Sequence, residues 1–322
     1  MSKILFVVHR YAPFPGGSEY YTRDMAEEMV KRGHDVTVLA HEHQGDLNRV
    51  KVTNDYNILN QKWLMIIVHG CDVVSQNVVL ANAAIIRSPI CYMIIKPSLS
   101  LTAQHGMKYA KYLAYSTSMD LEHIKSVGQE HKARRIRHGI VVENSVSRLL
   151  PEWEHVPYYV SAGGFYPHKG MSALANAFEQ LGPAGTNLEL FGYADGEMPS
   201  SDRVKSWLGL PRASVLQAIV NSKGYILNSY DEGFGLVLLE AMINKVPCYA
   251  RNIAGAKDMK PFVMTYENEQ ELFEVIKEFE ALPEPTKQGI IERNYKYVMS
   301  NRTIKQTCND IKDILAEERK SE

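Results

Sequence analysis

Apolar and polar positions alternate between two periods along this chain. Residues 4–8 (Ile-Leu-Phe-Val-Val) form an unbroken apolar run, the pattern of a strand buried on both faces. The loop at 11–17 follows, with two prolines and the pair Gly16-Gly17. Residues 19–31 then put Tyr21, Met25 and Met29 on one helical face, with Ser18 as the expected N-cap and Gly33 as the stop. Residues 36–40 are the second strand. This strand–loop–helix–strand unit predicts a parallel sheet with a right-handed crossover. Residues 63–68, 72–74 and 90–95 are further strand candidates.

After Pro151 the alternation starts again. Residues 158–162, 188–191, 224–227 and 246–250 read as strands. Residues 171–181, 214–220 and 234–242 read as helices, and 270–282 and 303–318 as amphipathic ones. Both halves are therefore α/β. At roughly 150 residues per domain, 322 residues suit two domains.

Composition adds little that is unusual, with 45% apolar and 23% charged residues. No apolar run reaches the ~18 residues of a spanning helix. The first residues are too short for a signal peptide and read as the start of a strand. Cys71, Cys91, Cys248 and Cys308 are scattered, with no Cys-x-x-Cys pair, so neither a zinc knuckle nor a disulfide framework is expected. A reducing, cytoplasmic setting fits. Charge is uneven: residues 1–150 carry 18 Lys and Arg against 13 Asp and Glu, and the remainder 18 against 24. The basic stretch at 123–138 has three readings: a solvated face, a peripheral membrane contact, or a contact with nucleic-acid phosphates.

The sharpest chemical signal is the stretch 228–242, Asn-Ser-Tyr-Asp-Glu-Gly-Phe-Gly-Leu-Val-Leu-Leu-Glu-Ala-Met. A strand ends near Leu227, and a Gly-x-Gly turn opens a helix. Gly233 and Gly235 let backbone approach a ligand closely, and a helix N-terminus offers free N–H groups to a diphosphate. Glu240, on the first turns, suits the two hydroxyls of a ribose.

Glu232 and Glu240, with Gly233, Phe234, Gly235, Leu236, Ala241 and Met242 around them, resemble the E-x7-E motif of retaining GT-B glycosyltransferases of family GT4. Pro15-Gly16-Gly17-Ser18-Glu19 is similar to that family's N-terminal glycine loop, 137–140 to the segment closing its first domain, and 164–170 to the loop opening its second. The resemblance implies two Rossmann-like α/β domains with parallel sheets facing a central cleft. It implies an acceptor domain over 1–148, completed by a C-terminal helix near 302–320, and a donor domain over 149–301. It implies transfer of a sugar, with retention, from a nucleoside-diphosphate sugar to a hydroxyl acceptor such as a glycan or lipid-linked saccharide, with no cofactor. Lys169 and Glu232 would be the catalytic pair. Lys169 would hold the diphosphate, Glu232 the donor sugar or leaving phosphate, and Glu240 the ribose. Gly233, Phe234, Gly235 and Leu236 would give amides, while Gly16, Gly17 and Gly164 would line the donor from their loops.

Two positions depart from that family's pattern. Gly164 stands where such enzymes usually carry an arginine, and Ile94-Ile95-Lys96 where many carry a histidine. Arg251, His168 and His9 are candidate replacements for the arginine, and Lys96 for the histidine. Two alternatives stay open: a nucleotide-sugar-binding subunit that does not turn over, and a transferase that modifies phage DNA bases. No Asp-x-Asp or His-Glu-x-x-His occurs, so no metal is expected. The first loop lacks Gly-x-Gly-x-x-Gly, which argues against a nicotinamide or flavin enzyme.

Overall fold

A computed structural model describes residues 2–70, 72–142, 156–193 and 198–321. The chain forms two compact units, Met1–Val141 with Arg302–Glu322, and Val142–Asn301. The expected division between 148 and 149 lies outside the described residues.

The first unit contains β1 (Lys3–Arg10), α1 (Gly17–Lys31), β2 (Asp35–Glu42), β3 (Lys51–Thr53), β4 (Met65–His69), α2 (Val74–Ala81), β5 (Ile90–Met93), α3 (Leu101–Tyr109), β6 (Tyr112–Tyr115), α4 (Ser118–Ser126) and β7 (Ala133–Arg135). Its seven strands pair in parallel in the order β3-β2-β1-β4-β5-β6-β7. Ile4, Leu5, Phe6, Val7 and Val8 are buried because β1 is central and covered on both faces. Two expectations fail here. Residues 72–74 are not a strand: Asp72 adopts a left-handed turn (φ 66°) and Val74 opens α2, with Val73 and Val74 exposed. Short apolar runs do not distinguish strand from helix start. Ser18 is not the N-cap either, since α1 begins at Gly17 behind Gly16, with no side-chain cap.

The second unit contains β8 (Tyr158–Gly164), α5 (Met171–Leu181), β9 (Asn187–Tyr193), β10 (Val204–Leu208), α6 (Arg212–Asn221), β11 (Gly224–Leu227), α7 (Leu236–Ile243), β12 (Cys248–Arg251), α8 (Ala254–Asp258), β13 (Met264–Tyr266), α9 (Glu269–Ala281) and α10 (Glu284–Asn301). The six strands are parallel in the order β10-β9-β8-β11-β12-β13. On α5, Met171, Leu174, Ala175 and Phe178 make one buried stripe, packed with Leu188, Leu190 and Ile276. Helix α7 starts at Leu236, two residues later than its apolar pattern, because Gly235 takes a left-handed conformation first.

The chain then returns to the first unit as α11 (Ile304–Ser321). Cys308, Ile311, Ile314 and Leu315 are its buried face. Its acidic face accounts for much of the basic stretch. Arg137 donates to Asp310 from its backbone N–H (2.8 Å) and its Nε (3.0 Å). Arg134 pairs with Glu317 at 2.8 Å, and Lys132 donates to the carbonyls of Met107 and Lys108. Arg134 and Arg137 tie the last helix to the sheet, so these two arginines are ion-paired within the protein rather than simply solvated. Asp310→Ala leaves the Arg137 amide and guanidinium without their acceptor. The expected cost is about 2 kcal/mol, read as a lower urea midpoint, and an unchanged midpoint removes the tie. Among the described residues no helix is long and apolar enough to cross a membrane.

Candidate active site

A parallel sheet gathers the C-terminal ends of its strands along one edge. In the second unit β8 lies between β9 and β11, so the chain leaves β8 in one direction and returns through β11 from the other. The loops after these two strands part at that point, where open α/β sheets bind their ligands. Here they are also stitched together. Asn228 Nδ2 donates to the Gly170 carbonyl at 2.9 Å, and the Tyr230 amide donates to the His168 carbonyl at 2.8 Å. Gly170 is left-handed (φ 64°), and a Cβ there would stand 2.4 Å from the Asn228 carbonyl oxygen. This close approach puts Lys169 against Glu232, Nζ to Oε2 at 2.6 Å. Both side chains are 22% exposed, so the pair is reachable from solvent but partly desolvated. The other Glu232 oxygen accepts the Gly233 amide at 3.2 Å.

The tip of α7 follows directly. Gly235 has φ 83°, and a Cβ on it would meet Leu227 at 2.9 Å, so a larger residue fits neither backbone nor space. The Phe234 ring is buried and serves packing, which leaves only backbone for a ligand. Gly255 of α8 presses on it: a Cβ there would lie 2.2 Å from the Phe234 carbonyl. Leu236 opens the helix, and Glu240 sits one turn further on with its side chain 16% exposed. Glu240 is not alone. Arg212, the first residue of α6, pairs through Nη2 with Glu240 Oε1. The arrangement thus offers a cation, an amide-bearing helix tip and a shielded carboxylate within one short stretch of surface.

Residues 150–297 match the model of the family described as glycosyl transferases group 1. No curated protein sequence matches the chain. Solved structures do. A glycosyltransferase from Rickettsia africae aligns with TM-score 0.77 at 15% identity, over 100% of this chain and 99% of that one. HepE from Anabaena, in complex with UDP and glucose, aligns with TM-score 0.74 at 15% identity, over 98% and 100%. Sucrose-phosphate synthase from Thermosynechococcus elongatus aligns with TM-score 0.75 at 13% identity, over 100% of both. The fold is GT-B.

In this GT-B chain a side chain at 164 would meet a tyrosine ring. A Cβ at 164 would lie 2.5 Å from the Tyr166 ring and 3.3 Å from Tyr193. Tyr166 therefore occupies the space through which a side chain at 164 would leave the backbone, and it stacks on exposed His168 at 5.8 Å. Arg251 is committed elsewhere. It pairs with Glu269, donates to the Glu267 carbonyl (2.6 Å) and to Asn228 Oδ1 (3.2 Å), and lies 4.4 Å over the Tyr230 ring. His9 belongs to the other unit, stacked on His41.

Gly16 and Gly17 also lie in that first unit, after β1 and at its own parting point between β1 and β4. Their helix tip is already occupied by a protein carboxylate. A Cβ at Gly16 would stand 2.1 Å from Glu19 Oε2, and Arg10 Nε donates to Glu19 Oε1 at 3.1 Å. Burial raises the Glu19 pKa against the pull of Arg10. At the end of β4, His69 is buried and 3.2 Å from the Thr22 hydroxyl, and burial drives its pKa down to about 3. That ring is neutral at physiological pH. Lys96 is exposed. The structure therefore gathers Lys169, Glu232 and Gly233 closely, with Gly235 just before the adjoining helix and Glu240 on it. Arg212 is the one member of the constellation that the sequence pattern did not single out, since 28 residues separate it from Glu240.

Proposed function

We propose that this chain transfers a sugar, with retention of anomeric configuration, from a nucleoside-diphosphate sugar to a hydroxyl of a glycan or lipid-linked saccharide. The observation that carries the reading is the meeting of Lys169 with Glu232 at the β8/β11 parting point, beside the amide-bearing tip of α7. The acceptor hydroxyl oxygen bonds the anomeric carbon as its C–O bond to the diphosphate breaks; the electron pair of the broken bond stays on the diphosphate, which takes up the hydroxyl proton. Lys169 and the amides at 233–236 receive that charge, work that a fixed cation and helix dipole do without a bridging metal. Glu232 is first displaced from Lys169 by the diphosphate and then faces the donor sugar. Glu240 takes the ribose hydroxyls. HepE, of the same fold, is described with UDP and with UDP-glucose, which supports a uridine nucleotide as the first donor to test.

The test is a panel of nucleoside-diphosphate sugars, screened first by melting temperature and then for donor consumption with saccharide acceptors. One donor is expected to raise the melting temperature, since ligand binding to the native state alone stabilises it. The same donor is expected to be consumed, in the presence of chelator, with its anomeric configuration kept in the product by NMR. Binding without consumption would point to the non-catalytic subunit, and binding of no donor would remove the site.

A further inference from the structure

Helix α6 has to cross from the edge strand β10 back to β11, because the sheet order is β10-β9-β8-β11. That crossover lays α6 beside α7. Arg212 stands at its first position, after Pro211, and sends its guanidinium to Glu240. The carboxylate is the more shielded partner, 16% exposed against 31% for the arginine. Only one oxygen, Oε1, takes that bond. On its own helix, the Glu240 backbone carbonyl is also held, by Asn244 Nδ2 at 2.8 Å.

We propose that Arg212 is the positioning residue of the nucleoside subsite: by holding Oε1 it fixes the Glu240 carboxylate in one rotamer, so that Oε2 accepts ribose hydroxyls. The inference rests on the donor-site reading above and extends it to a residue that contacts the ligand only through another. A planar, permanently charged guanidinium suits this task, since it restrains the direction as well as the distance of a carboxylate. A glutamate left unpaired on a helix samples several rotamers, and each ribose contact then carries an ordering cost.

The readout is discrimination between ribose and deoxyribose. Dissociation constants are measured by calorimetry for UDP, ADP and GDP, and for the 2′-deoxy form of whichever binds best. Wild type is expected to prefer the ribonucleotide by about tenfold, the ratio that one charge-assisted hydrogen bond gives. Arg212→Ala is expected to bring that ratio close to one, as Glu240→Ala does, with the double variant no worse than either single one. Arg212→Lys should restore part of the preference. Melting temperatures of all variants separate a folding defect from a binding one. A purely structural Arg212 predicts weaker binding of both nucleotides with the ratio kept, and that result overturns the inference while leaving the donor site standing. Wild-type binding to none of the three diphosphates overturns the donor-site reading and this inference with it.

Discussion

Lys169→Ala is expected to lower kcat for sugar transfer by about 10²–10³-fold, the usual loss when one preorganised donor to a developing anion is removed. Among the described residues, Lys169 is the cation that the β8 loop brings to the α7 tip, 2.6 Å from Glu232. Its effect on stability should be small. The pair is partly exposed, and such pairs are worth about 1 kcal/mol or less. Glu232 also keeps its bond from the Gly233 amide. A near-wild-type melting temperature with a collapsed rate is therefore the expected signature. Lys169→Arg should retain part of the rate, since charge survives while the point geometry changes. Initial rates under saturating donor decide the matter, and a kcat within a few-fold of wild type for Lys169→Ala would remove the lysine from the chemistry.

The parts of this molecule that were legible in its sequence are those where burial writes a period. Strands β1 and β11 and helix α5 sit in the core, and their apolar residues mark them within a residue or two at each end. Strand β7 was not legible, because Ala133-Arg134-Arg135 is a three-residue edge whose arginines face α11 or solvent. Helix α10 was missed for a related reason: its buried residues are only Asn294 and Val298, too few for a stripe. Val73 and Val74 misled in the opposite direction, as apolar residues left exposed at a helix start.

The site divides in the same way. Glu232, the two glycines and Glu240 are contiguous, so one loop–helix segment spells them out. Lys169 was legible through the family-like spacing of its loop. The Arg212–Glu240 pair depends on how α6 crosses the sheet, and no local pattern encodes that. Position 164 shows the limit most clearly. The sequence registers a missing arginine, whereas the structure shows a tyrosine ring in the space such a side chain would cross.

Gly170→Ala should damage both stability and activity. Gly170 is at φ 64°, and left-handed backbone costs a residue with a Cβ about 1–2 kcal/mol. The added carbon would also meet the Asn228 carbonyl at 2.4 Å and Asn228 Nδ2 at 2.9 Å. Neither atom is free to yield. Asn228 is buried, donates to Gly170 and Glu269, and accepts from the Tyr266 hydroxyl and Arg251. The β8 loop must therefore move away from the β11 loop. Strain and lost hydrogen bonds together amount to about 3 kcal/mol, which for a unit of this size lowers the melting temperature by roughly 6–12 °C. The same displacement separates Lys169 from the α7 tip, and a shift of about 1 Å can cost 10²-fold in rate. Activity should thus be lost even at temperatures where the variant is fully folded. Gly185→Ala is the control: its φ is 69°, but nothing lies within 4 Å of its Cβ position. It should show the backbone cost alone, with transfer intact. Equal activity in the two alanine variants would mean that the packing of these two loops does not set the position of Lys169.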